Sequence, residues 1–75
     1  MFSMSKPILV KLLRRLRTEC SLTQSQLAYK IGQTQSYVSK YESGERRLDL
    51  IELEKVCNAL GVSLKKFVEL YLESR

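Results

Sequence analysis

The stretch that decides the fold is TQSQLAYKIGQTQSYVSKYESG, residues 23–44. Thr23 and Gln26 form a capping box, in which the hydroxyl and the amide each satisfy an orphan backbone N–H, and Leu22 and Leu27 stand at the two staple positions. Leu27, Ala28 and Ile31 follow at helical spacing. Gly32 then tolerates the left-handed conformation that closes a helix. Only Gln33 separates it from Thr34, a good N-cap for a second helix with Val38 and Tyr41 on one face. The reading is two short helices joined by a very tight turn. The outer face of the second helix carries Gln35, Ser36, Ser39, Lys40 and Ser43, an unusual set for a merely solvated surface.

Working outward, Pro7 is compatible with a first helical turn, and Ile8, Leu9, Leu12, Leu13 and Leu16 form one apolar stripe of a preceding helix. Lys11, Arg14 and Arg15 lie on its other side. They are either a solvated face or part of a positive field. Residues 1–6 lack a pattern and are expected to be disordered. After Gly44, Asp49 caps a fourth helix with Glu52 at the third position, and Leu50, Leu53, Val56, Cys57 and Leu60 supply its apolar face. Gly61 closes it. Ser63 caps a fifth helix that buries Leu64, Phe67, Val68 and Tyr71, with Leu70 and Leu72 off the stripe. Those two are either simply exposed or packed on a second copy, and the reading leans to a homodimer. No segment alternates with period two, so the expected class is all-α, a compact five-helix bundle in one domain, residues 1–75.

Composition bounds the function. Seventy-five residues with 28% charged, three Gly and one Pro describe a folded domain, and its modest core leaves room for stabilisation by a partner. The net charge is +5, and it is unevenly placed. Residues 1–47 hold nine Lys/Arg against three Glu, whereas residues 48–75 hold four against five acids. The excess positive charge thus travels with the two-helix unit, which favours an acidic partner such as nucleic acid. Cys20 and Cys57 are far apart and there is no His, so neither a metal site nor a disulfide is expected, and Cys57 reads as core. The apolar run 8–16 is broken by Lys11, Arg14 and Arg15. A signal sequence and a membrane span are therefore not expected, and a soluble, cytoplasmic protein fits.

A Thr-Gln-x-x-Leu-Ala start at Thr23, a Gly at the turn, Gln-Ser-Tyr-Val-Ser-Lys-Tyr-Glu-x-Gly from Gln35, and Ala-Leu-Gly-Val-Ser from Ala59 together resemble the Cro/C1-type helix-turn-helix repressors, the XRE family. The resemblance spans about residues 12–67. It implies a lambda-repressor-like fold and a DNA-binding transcriptional regulator, often dimeric, with 23–44 as the helix-turn-helix unit and 35–43 as the helix that enters the major groove. It places Gln35, Ser36, Ser39 and Lys40 at base edges. The chemistry agrees, since Gln35 can pair bidentately with adenine and Lys40 can donate to guanine. Lys40 reaching a phosphate instead stays open. Gln24, Thr34, Tyr37, Ser43, Arg46 and Arg47 fall where the DNA backbone would pass, the arginines as charges that position without specifying.

The resemblance also pairs Arg17 with Glu42, tying the first helix to the end of the recognition helix. Tyr41 reads as core and Tyr37 as an edge residue. Three positions depart from the pattern: Ser21 where Gly is frequent, Leu48 for a common Pro, and Glu45 where a cation is usual. A left-handed Ser21 would cost about 1 kcal/mol. The competing reading is a protein-interaction module, such as an antitoxin or co-regulator, working through the fifth helix. An enzyme is the weakest reading, since the chain has no His base, metal-ligand cluster or phosphate-cradling Gly loop. No cofactor or small-molecule ligand is implied.

Overall fold

Four of the helices in the computed structural model, which describes residues 6–75, start on a side chain that the sequence marks as a cap. Helix α1 spans Lys6–Glu19, α2 Gln24–Lys30, α3 Gln35–Glu42, α4 Leu50–Ala59 and α5 Leu64–Ser74. The Thr23 hydroxyl accepts from the Gln26 N–H at 3.0 Å while the Thr23 N–H donates to Gln26 Oε1 at 2.8 Å, completing the box that opens α2. Asp49 and Glu52 do the same for α4 at 2.7 and 2.9 Å. Thr34 and Ser63 cap α3 and α5 with single bonds. Of the six residues expected to be disordered, 1–5 lie outside the described residues, and the backbone is already helical at Lys6.

The closures repeat as well. At the end of α2, the Gln33 N–H donates to the Ala28 carbonyl at 2.9 Å and the Gly32 N–H to the Tyr29 carbonyl at 3.2 Å. This is the Schellman arrangement, with Gly32 at φ 68°. Helix α1 ends on the same pair of bonds, Leu22 to Arg17 and Ser21 to Thr18, but its left-handed residue is Ser21 at φ 57°. The chain therefore keeps the geometry usual for Gly and bears the side-chain strain, about 1 kcal/mol.

The helices pack α2 on α3, α1 on α3 and α5, and α4 on α5. Their shared core holds Leu12, Leu13 and Leu16 from α1, Leu27 and Ala28 from α2, Val38 and Tyr41 from α3, Leu53, Val56 and Cys57 from α4, Leu60, and Phe67 and Tyr71 from α5. Burial pushes the Cys57 thiol up to about 12, with a small contribution from the Glu54 charge, so this cysteine is an inert packing residue. Cys20, by contrast, is exposed and donates its S–H to the Leu60 carbonyl at 3.3 Å. The structure corrects the apolar face expected of the fourth helix. Leu50 is 49% exposed. As the first residue of α4 its Cβ tilts toward the helix N-terminus, which leaves about half of the side chain outside the core. There is no strand among the described residues.

Candidate nucleic-acid interface

The seating of α3 starts from a buried charge. Glu42, on its last turn, is 7% exposed. Its carboxylate takes a two-pronged contact from Arg17 of α1, Nε to Oε2 at 2.7 Å and Nη2 to Oε1 at 3.1 Å. Arg17 Nη1 also holds the Leu22 carbonyl at 2.8 Å, just before α2 begins. One guanidinium thus joins α1, the approach to α2 and the end of α3, as the planar fork of arginine allows. Burial opposes the Glu42 charge, but hydrogen bonds from Arg17 and Gln24 and the fields of Arg17 and Arg14 outweigh it. The carboxyl titrates below its ordinary value. Arg14, whose sequence reading was a solvated or field-forming cation, lies 3.6 Å from Glu42.

The same carboxylate sets the polarity of the outward face of α3. Gln24 Nε2 donates to Glu42 Oε1 at 3.1 Å, and Gln35 Nε2 donates to Gln24 Oε1 at 2.7 Å. A carboxylate can only accept, so Gln24 must turn its amide nitrogen inward and its oxygen toward Gln35. Gln35 must then donate to Gln24. What remains outward on Gln35 is its carbonyl oxygen and one amide hydrogen, the donor–acceptor pair that matches an adenine edge. Ser36 and Lys40 are exposed beside it, and Ser39 is partly covered. The four expected base-reading residues therefore share the outward side of one short helix. Gln24, expected at the DNA backbone, is partly buried and serves as the link between the buried pair and Gln35.

A second cluster sits where α3, the following loop and α4 meet. Gly44, at φ 85°, lets the Glu45 and Arg46 N–H groups fold back onto the Lys40 carbonyl at 2.9 and 3.1 Å. That returns Arg46 to α3. Its guanidinium lies 4.7 Å from the centroid of the Tyr37 ring, and its Nη2 reaches Glu52 Oε2 at 2.5 Å. The Tyr37 hydroxyl donates to the same Glu52 oxygen at 3.3 Å. Partial burial and the Glu52 charge raise the Tyr37 phenol above its ordinary value against the opposing pull of Arg46. Tyr37 also meets Tyr41 edge-on, with centroids 5.9 Å apart.

The other expected backbone residues divide. Arg47 is exposed and has no ion pair among the described residues. Thr34 is occupied as the cap of α3. Ser43 is exposed, but its hydroxyl lies 3.0 Å from both the Lys40 carbonyl and the Glu45 carboxylate. Glu45 thereby puts a negative charge beside it. Among the described residues no group of three or more His, Cys, Asp or Glu is placed to hold a metal ion.

The arrangement of two capped helices around a four-residue turn is one that known proteins share. A model of the helix-turn-helix family matches residues 13–67 of the chain. The chain belongs to the helix-turn-helix family. It is 36% identical over 55 residues to the control protein C.MunI of a Mycoplasma species, a match covering 72% of this chain and 74% of that protein. An uncharacterized protein of the helix-turn-helix transcriptional-regulator type, y4dJ of Sinorhizobium fredii, is 43% identical over 49 residues, covering 65% of this chain and 64% of the other. Among solved structures, the restriction-modification controller protein C.Esp1396I superposes with a TM-score of 0.87 at 29% identity, over 97% of this chain and 95% of that one. A further structure, at TM-score 0.87 and 29% identity over 97% and 96% of the two chains, shows C.Esp1396I as a tetramer on its natural 35-base-pair operator.

Two features of this helix-turn-helix site carry little signal in the sequence. One is the Glu42–Gln24–Gln35 chain. Its signal was the repeated Thr-Gln-Ser at 23–25 and 34–36, which puts a Gln directly after each cap, where both reach the gap between the helix ends. The other is Glu52, read only as a cap partner. Its remaining oxygen has no sequence signature, because Arg46 approaches through a turn whose path depends on Gly44.

Proposed function

We propose that this chain is a sequence-specific, DNA-binding transcriptional regulator of the Cro/C1 type that acts in the cytoplasm and not as an enzyme. The observation that carries the reading is the outward face of α3. Gln35 presents an oriented donor–acceptor pair there beside Ser36, Ser39 and Lys40, on a helix fixed from beneath by the Arg17–Glu42 pair. Such a face suits direct readout in the major groove, with the flanking residues holding the sugar–phosphate backbone. Binding of C.Esp1396I to its operator supports the same use of the fold.

The domain works as a homodimer in this reading, with recognition helices about one helical turn, roughly 34 Å, apart on a two-fold operator. Leu72, 49% exposed, and Leu70, partly buried at the rim of the core, are the proposed contacts between copies. No described helix is long and apolar enough to cross a membrane.

Backbone contacts make affinity fall with salt, and each phosphate neutralised contributes about 0.9 to the log–log slope. Arg47 is the flanking arginine that no acid pairs with among the described residues. Arg47→Ala is therefore expected to lower the slope by about 0.9 while leaving the preferred sequence unchanged. Fluorescence-anisotropy titrations of a duplex across a salt series measure it. A parent protein with no affinity for duplex DNA at low salt would refute the function, and would favour a protein partner.

A further inference from the structure

Among the described residues, Glu52 is the one acid whose carboxylate touches two of the residues proposed to face the DNA backbone. Its Oε1 accepts the Asp49 N–H at 2.9 Å and so belongs to the cap of α4. Its Oε2 accepts from Arg46 at 2.5 Å and from the Tyr37 hydroxyl at 3.3 Å. The capping box fixes this carboxylate on a helix end, so it is not a passing surface partner. Arg46 is held from two sides, by the ion pair and by the Tyr37 ring beneath its guanidinium. Arg47, next in the chain, has no such partner among the described residues. The two neighbouring arginines are thus electrostatically unlike.

We propose that Glu52 is a specificity-determining residue: by clamping Arg46 over Tyr37 and offsetting its charge, it restrains sequence-independent attraction to DNA and leaves discrimination to the α3 face. This rests on the function proposed above. The physical reason is that phosphate attraction is the same for every sequence, whereas base contacts differ. An arginine that carries its own counter-charge displaces fewer ions from the duplex than a free one. Removing the acid strengthens binding to all sequences together, which narrows the gap between operator and bulk DNA.

Glu52→Gln separates this role from the cap, because a glutamine at this position of a capping box still accepts the Asp49 N–H. Glu54→Gln removes the same formal charge from an exposed position two residues along α4, nearly on the opposite side of the helix, and serves as the control. Affinities for a selected operator duplex and for a scrambled duplex are measured across a salt series, with thermal unfolding of each variant alongside. For Glu52→Gln on scrambled DNA the slope is expected to steepen by about 0.9, so that a fourfold rise in salt costs it about three times more affinity than the parent. Its ratio of operator to scrambled affinity is expected to fall. In an Arg46→Ala background the same substitution is expected to change the slope little.

Equal behaviour of Glu52→Gln and Glu54→Gln, or an unchanged ratio, in a parent that binds its operator would overturn the clamp and leave the proposed function standing. A parent that binds no DNA would overturn both. If Glu52→Gln steepens the slope equally with and without Arg46, the effect belongs to the acid alone and the clamp is again refuted.

Discussion

Glu42→Ala is expected to lower the stability of the domain by about 3 kcal/mol or more, because it leaves Arg17 partly buried with no carboxylate to answer it. A chain of this length has a total of about 4–11 kcal/mol to lose. The substitution also removes the acceptor that orients Gln24, so Gln35 loses its fixed polarity. Urea denaturation followed by circular dichroism measures the first effect. A loss within about 0.5 kcal/mol would show that the pair is an incidental surface contact.

The same pair sets an acid limit. The Glu42 carboxyl is depressed in the folded state, so its contribution is fully present above the ordinary value of 4.5 and is lost as pH falls through the lower folded value. The parent is expected to lose this stability below about pH 5, and Glu42→Gln to show a shallower decline over that window. A buried pair of this kind orients more than it stabilises, since an apolar pair of similar volume would pack there as well. It holds the end of α3 against α1, which aims the face proposed to read sequence.

The second large effect concerns readout. The double substitution Gln35→Ala, Lys40→Ala is expected to reduce preference for the operator over a scrambled duplex by about thirtyfold or more, since each base contact discriminates by about 1–3 kcal/mol. Binding to scrambled DNA falls only by the share of one lysine charge. Competition titrations at fixed salt report both quantities. Retained preference in the double variant would place sequence recognition elsewhere on the molecule.

The caps and closures were legible because they are local. Thr23, Thr34, Asp49 and Ser63 each satisfy an N–H three residues ahead, so spacing alone identifies them. The left-handed Ser21 was legible only through the resemblance, which sets it where Gly is frequent after the first helix. Leu50 was misread because periodicity gives a face but not where that face ends, and the first side chain of a helix overhangs its partners. The Arg17–Glu42 pair was expected only through resemblance, as 25 residues separate its members. Gln24 was assigned to the DNA backbone, and its two hydrogen bonds emerged only when the helix ends were brought together. Residue type predicted which groups could recognise DNA, but not which of them the fold already occupies. Arg46 and Arg47, identical in sequence terms, become different once Glu52 is in place.

Selection of bound duplexes from a random pool asks whether the α3 face reads sequence at all. The expected result is enrichment of two related half-sites in two-fold symmetry, centred about one helical turn apart, with an adenine at the position facing Gln35. A pool that remains random after repeated rounds, from a protein that is folded and binds the pool at low salt, would contradict it.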